Sequence, residues 1–136
     1  MTNKDIAWAY FEHLNHGRFD EAFALFAPDG KWWVSSRRCA TSTATMEAPT
    51  RELFSVVPMQ FTLHGAIEEG DQVALEIESH APLPGGKLYN NVYCFVFTVR
   101  DGDIVEVHEY ADTAYAAAAL PAEGWAAENK NWRGGD

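Results

Sequence analysis

Around Met59 the hydrophobic period of this chain changes from about 3.6 residues to two, and that change decides most of what it can fold into. Before it, Ala7, Tyr10, Phe11 and Leu14 mark one buried helical face, with Thr2 and Asn3 as candidate caps and Gly17 as the stop. A second short helix over 19–26 buries Phe19, Ala22, Phe23 and Phe26. Pro28-Asp29-Gly30 then turns the chain into a strand from Lys31 to Ser35. The polar run 36–45 reads as a loop, and a third helix follows through about Val57, tolerating Pro49 near its first turn. From Met59 on, alternation predicts strands at 59–68, 72–80, 88–100 and 104–111. Tight turns at Glu69-Gly70-Asp71, Pro84-Gly85-Gly86 and Asp101-Gly102-Asp103 join them as a meander. Asp112 and Thr113 open a last alanine-rich helix over 114–120, which Pro121 stops. Helices first and a long antiparallel meander afterwards give an α+β fold: N-terminal helices packed on a curved, mainly antiparallel sheet, enclosing one pocket.

The 136 residues suit one domain, read as 1–120, followed by a tail over 121–136 whose Trp125 and Trp132 suggest docking on this subunit or on a partner. With 47% hydrophobic and 13% aromatic residues the chain can fill a core. Its formal net charge of -10 repels phosphate backbones and anionic membranes, so neither nucleic acid nor a membrane is an expected partner. No apolar run approaches the ~20 residues of a membrane span, and the polar start does not read as a signal peptide; the expected location is the cytoplasm. Cys39 and Cys94 lack metal-site spacing, and Cys94, inside an apolar strand, reads as a small core residue. There is no Gly-x-Gly-x-x-Gly and no phosphate loop, and no cofactor or metal is expected.

Three stretches carry a resemblance: Tyr10-Phe11-Glu12-His13-Leu14 through Gly17, then Leu25-Phe26-Ala27-Pro28-Asp29-Gly30, then Arg100-Asp101-Gly102-Asp103-Ile104 with Glu109-Tyr110-Ala111-Asp112. In order and spacing they resemble the nuclear transport factor 2-like superfamily over roughly residues 5 to 118. That superfamily includes ketosteroid isomerase, limonene epoxide hydrolase and SnoaL-like polyketide cyclases. The resemblance implies a cone-shaped α+β barrel, usually a homodimer, with its pocket between the helices and the concave sheet face. Such a fold hosts several chemistries, so the reaction has to be argued from the site.

The strand 88–100 puts Asn91, Tyr93, Phe95 and Phe97 on one face. By the resemblance, Tyr93 falls where ketosteroid isomerase keeps a protonated acid as oxyanion donor, and Tyr10 where it keeps its oxyanion tyrosine. Two phenols in an apolar pocket can hold charge on a substrate oxygen, or can simply be core aromatics. Glu109, on the face shared by Val105, Val107 and Ala111, corresponds to a catalytic aspartate of limonene epoxide hydrolase. Among valines its carboxyl is tuned upward as a general base or acid; turned outward, it is a solvated strand-end glutamate or a partner of Arg37 or Arg38. Asp112 precedes a helix and reads as its cap.

Departures from the two best-known reactions are equally informative. The isomerase's catalytic aspartate corresponds to Val34, so that base is missing. The epoxide hydrolase pattern pairs two acids through an arginine, and 72–80 contains none. The second acid position falls on Glu76 and Glu78 or on Ile77 and Ser79, according to one hairpin gap, and alternation favours the latter pair on the buried face.

His64 could shuttle a proton or be a surface histidine. His13 and His16 are three apart with no third ligand in sight. Of the adjacent Trp32 and Trp33, spacing from Phe26 carries Trp32 inward, where Phe11, Phe61, Tyr93 and Phe95 complete an aromatic cavity. Leu14, Val34, Asn91 and Val107 are the remaining expected substrate contacts. These residues predict a cofactor-independent lyase, isomerase, dehydratase or cyclase that transfers protons on a hydrophobic, aromatic or polyketide-like substrate. The alternatives are a non-catalytic small-molecule-binding or dimerisation domain, and an epoxide hydrolase. A transport adaptor finds no specific support in these residues.

Overall fold

A computed structural model describes residues 1–120. Helices α1 (Asn3–Asn15) and α2 (Phe19–Phe23) lead into strand β1 (Phe26–Val34) and a short β2 (Cys39–Ser42). A 3₁₀ turn (Thr43–Met46) and α3 (Glu47–Val56) precede the meander β3 (Gln60–Glu69), β4 (Gln72–Pro82), β5 (Leu88–Arg100) and β6 (Asp103–Ala111), and α4 (Thr113–Ala119) closes the described part. The strands form one mixed sheet in the order β2-β1-β6-β5-β4-β3, antiparallel throughout except for the parallel pair β1–β6. Four helices pack against this mostly antiparallel sheet, which stays open between β2 and β3. The result is the cone-like α+β fold implied by the sequence.

Local chemistry explains the element ends. Thr2 and Asp5 form a reciprocal capping box, with Thr2 Oγ1 accepting the Asp5 N–H at 3.1 Å and Asp5 Oδ2 accepting the Thr2 N–H at 2.9 Å. Gly17, at φ +70°, supplies the left-handed residue that ends α1. Asp112 Oδ1 accepts the Tyr115 N–H at 3.0 Å and so caps α4 as expected.

Alternation on β4 and β5 drives the core. Val73, Leu75, Ile77, Ser79 and Ala81 all turn inward, facing Tyr89, Asn91, Phe95 and Phe97 in register, and each of these nine is buried. Phe11 from α1 plugs the middle, its ring 4.8 Å from Phe95 and 5.0 Å from Phe61.

Several local readings change. The second helix ends at Phe23, and the strand begins at Phe26 instead of Lys31. Pro28-Asp29-Gly30 sits inside β1 as an irregularity where pairing with β6 shifts between Phe26 and Lys31, a place in a strand that tolerates proline. Within the run 36–45 lies β2, because the chain doubles back through Arg38 at φ 51° and pairs Val34 with Cys39. On β6, Ile104 is fully buried where strict alternation puts it outside. The β5–β6 register moves from Thr98↔Glu106 to Val99↔Ile104, so a bulge at Val105 turns Ile104 inward. Cys94, read as a core residue, lies half-buried on the outer face opposite Glu76 and Tyr110. Its apolar neighbours in sequence, Val92 and Val96, belong to that outer face too.

Trp33 takes the outer face and is buried there, its ring 5.3 Å from those of His108 and Tyr110. The tail tryptophans Trp125 and Trp132 lie outside the described residues. No helix among the described residues is long and apolar enough to cross a membrane.

Candidate active site

The concave sheet face and α1 enclose a cavity of about 390 Å³, with α3 and α4 along its sides. That volume falls within the range of small-molecule sites. Its floor comes from alternate residues of β5, Tyr89, Asn91, Tyr93 and Phe95, together with Glu109 of β6 and Trp32 and Val34 of β1. Tyr10, Phe11 and Leu14 descend from α1, Phe61 closes one side, and Leu53 and Ala116 represent the flanking helices. Among the described lining residues there is no lysine, arginine or histidine, so Glu109 is the ionisable group of lowest ordinary pKa in an aromatic box.

Glu109 is held where three strands meet: Val34 lies beside it on β1, Phe95 faces it on β5, and its backbone carbonyl accepts the Ser35 N–H at 2.9 Å. The Trp32 indole donates to Oε1 at 3.0 Å, while the accessible surface that the residue keeps faces the cavity. Burial pushes its carboxyl above the ordinary range and outweighs the lowering influence of the Trp32 N–H and, after it, the Arg37 charge. The solvent-turned alternative for Glu109 does not describe this geometry.

Tyr10 is buried against Phe11, Phe26 and Trp32, with ring centroids at 5.0, 5.2 and 5.7 Å. Burial first, and then the Glu109 charge, drives its phenol well above the usual value, so it stays protonated and can act as a donor. Tyr93 stacks on Phe95 at 5.3 Å, and its Oη lies 2.9 Å from Ser79 Oγ. Burial raises this phenol far too.

The structure thus brings Glu109, Tyr10 and Tyr93 to one cavity with Trp32, Val34, Phe11, Leu14, Phe61, Asn91 and Phe95. It does not bring His64 or Val107 there. His64 is on the outer sheet face, its Nε2 2.8 Å from Glu78 Oε1; Glu78 also meets His80 Nε2 at 3.2 Å and the Asn90 amide at 2.8 Å. Alternation from buried Phe61 and from Leu63, which pairs with inward Ile77, turns His64 outward. Asn90 and then His64 hold the Glu78 carboxyl below its ordinary range. Val107 is fully buried between Trp32 and Phe97, beneath the cavity floor. Because Glu78 faces outward, Ile77 and Ser79 occupy the inner positions, as alternation favoured.

Tyr89 and Ser79 are the polar groups that sequence reading undervalued. Tyr89 is buried, borders the cavity, and accepts a hydrogen bond from Asn91 Nδ2 at 2.7 Å. Extending the Asn91-Tyr93-Phe95 alternation back by one step finds it.

The sequence matches the SnoaL-like domain over residues 7–107, and the chain belongs to that family. Among solved structures it is similar to wild-type IdmH of Streptomyces antibioticus, a proposed polyketide cyclase, at 20% identity and a TM-score of 0.78, covering 88% of this chain and 99% of that one. AclR of Streptomyces galilaeus, a proposed hydroxylase, gives 18% identity, a TM-score of 0.76, and coverage of 88% and 97%. TerC, co-crystallised with polyporic acid, gives 16% identity, a TM-score of 0.73, and coverage of 86% and 96%. At these identities the likeness is one of fold. A comparison with curated proteins finds no match.

Proposed function

We propose that this chain is a cofactor-independent enzyme that moves a proton on a hydrophobic, aromatic or polyketide-like molecule, in a lyase, isomerase, dehydratase or cyclase reaction. The observation that carries this reading is the Glu109 carboxyl: desolvated, anchored through Oε1 by Trp32, and facing an aromatic cavity. A carboxylate there takes a proton from a carbon acid beside a carbonyl. The C–H electron pair passes to the carbonyl oxygen as an enolate, and a phenol donor steadies that oxygen until the proton returns to carbon or a leaving group departs. Tyr10 and Tyr93 both fit the donor role, since burial keeps them protonated. Similarity to a proposed polyketide cyclase and to a protein co-crystallised with polyporic acid supports the substrate class.

Epoxide hydrolysis is less favoured, because the inner positions that would hold its second acid carry Ile77 and Ser79. Following the family resemblance, the chain forms a homodimer in this reading, which light scattering behind size exclusion would test. For the chemistry, hydrogen–deuterium exchange at C2 of 1-tetralone, followed by NMR, is the direct assay. Wild-type protein accelerates exchange and Glu109→Gln does not. Equal acceleration by a folded Glu109→Gln variant would reject Glu109 as the base and leave a binding domain as the better reading.

A further inference from the structure

The hydroxyl groups along the cavity floor have a direction, and it can be worked out from their partners. Asn91 cannot reverse its amide. Its Oδ1 accepts the Val92 N–H at 2.7 Å, so Nδ2 faces Tyr89 Oη at 2.7 Å and the Asp112 carbonyl at 3.2 Å. Tyr89 Oη is therefore an acceptor from Asn91, and its own hydrogen goes elsewhere. Ser79 is fully buried, and its oxygen already takes the Asn91 backbone N–H at 3.4 Å. Among the described residues its hydroxyl partner is Tyr93, at 2.9 Å. Leaving a buried O–H without an acceptor is costly, so Ser79 donates to Tyr93.

Two hydrogens remain, those of Tyr89 and Tyr93, and the two phenols are near enough to influence each other, so that one link at most can form between them. One link between them uses one hydrogen. At least one O–H is then left over, and both tyrosines that can carry it border the cavity, whereas Ser79 lies behind them. The described lining holds no cationic side chain, so an anionic guest is desolvated there without a lining partner for its charge.

We propose that Tyr89 and Tyr93, oriented by Asn91 and Ser79, present this spare hydrogen to a carbonyl oxygen, so that the pocket selects neutral ketone- or quinone-bearing aromatics over the matching hydrocarbons and over aryl carboxylates. This deepens the preceding reading and rests on its claim that the cavity holds an aromatic small molecule. It does not depend on Glu109 moving a proton.

The test compares three probes by calorimetry on the full chain: fluorene, 9-fluorenone and 9-fluorenone-2-carboxylate. With one hydrogen bond gained, fluorenone binds about fivefold tighter than fluorene, and the carboxylate binds at least roughly tenfold weaker than fluorenone. The infrared carbonyl band of bound fluorenone moves to lower wavenumber. In the Tyr89→Phe/Tyr93→Phe double variant the fluorenone preference over fluorene and the band shift both disappear. Equal binding of fluorene and fluorenone to the wild type, an unshifted carbonyl band, or a carboxylate bound as tightly as fluorenone overturns the proposal without touching the proton-transfer reading. A Glu109→Gln variant that is inert in exchange yet keeps the fluorenone preference supports the proposal independently of catalysis. If none of the three probes binds, the aromatic-pocket reading falls and takes this one with it.

Discussion

Replacing Glu109 with glutamine should make the protein more stable as it loses activity. The side chain keeps its length, and an amide oxygen can still accept the Trp32 N–H seen at 3.0 Å. What disappears is the need to hold a charge beside Val34, Phe95 and Tyr10. Burial raises the carboxyl above its ordinary range, so the folded state binds this proton more tightly than the unfolded chain does. The contribution to stability is complete below the unfolded carboxyl pKa of about 4.3. It is lost as pH rises towards the raised folded value. The variant cannot ionise, so its advantage over the parent opens across that window and then stays constant. Freeing a poorly solvated ionised group is worth about 1–3 kcal/mol, which for a chain of this length is roughly 3–5 °C in Tm per kcal/mol. Calorimetric melts of both proteins from pH 4 to 8 would read the difference, and titration of the surface groups cancels between them. If the two curves superimpose at pH 7.5, or if the gap closes as pH rises, the carboxyl is not desolvated in the way described.

Trp32→Phe removes the indole donor that favours the ionised form, so the acid-side limb of the exchange rate, where Glu109 ionises, should shift to higher pH; a pH–rate profile that does not move would reject Trp32 as the group holding Glu109. Phe11→Ala empties the centre of the aromatic cluster and should cost about 3–5 kcal/mol in urea unfolding. Gly30→Ala places a Cβ 2.9 Å from Thr43 Oγ1 and 3.1 Å from the Ala27 carbonyl, which should destabilise by about 1–3 kcal/mol. Adding Thr43→Ala should recover part of that loss, and no recovery would exclude the Thr43 clash as its cause. Asp112→Ala removes the cap of α4 at a cost of about 1 kcal/mol, seen first as faster amide exchange at Tyr115 and Ala116.

Much of this was legible because period-two alternation is a strong signal where one sheet face is dry. It located β5 from Leu88 to Arg100 and put Tyr93 and Phe95 on the cavity side. The same signal chose Ser79 over Glu78 for the inner face. It failed where the backbone adds a residue: the bulge at Val105 reversed Ile104, which leaves no mark in hydrophobicity. Short β2 escaped for another reason. Its residues Cys39–Ser42 are polar or small and pair at a sheet edge, so no face of it needs a hydrophobic pattern. Asn91 was visible as a polar residue in an apolar strand, but its orienting role depends on Val92 N–H, Tyr89 and Asp112, a combination that only the register supplies.

The parallel pairing of β1 with β6 has a consequence for the life of the molecule. It joins Trp32 to Glu109 across 77 positions of chain, and it does so between the first and the last of the described strands. During synthesis the acid has no dry site to enter until the whole meander has emerged, because its neighbours Val34 and Phe95 belong to strands that meet only through β6. Contacts of such long sequence separation form late and slowly. In a nascent or clipped chain lacking β6, nothing holds the β1 and β5 walls of the cavity together, so the pocket and its acid arrive together or not at all.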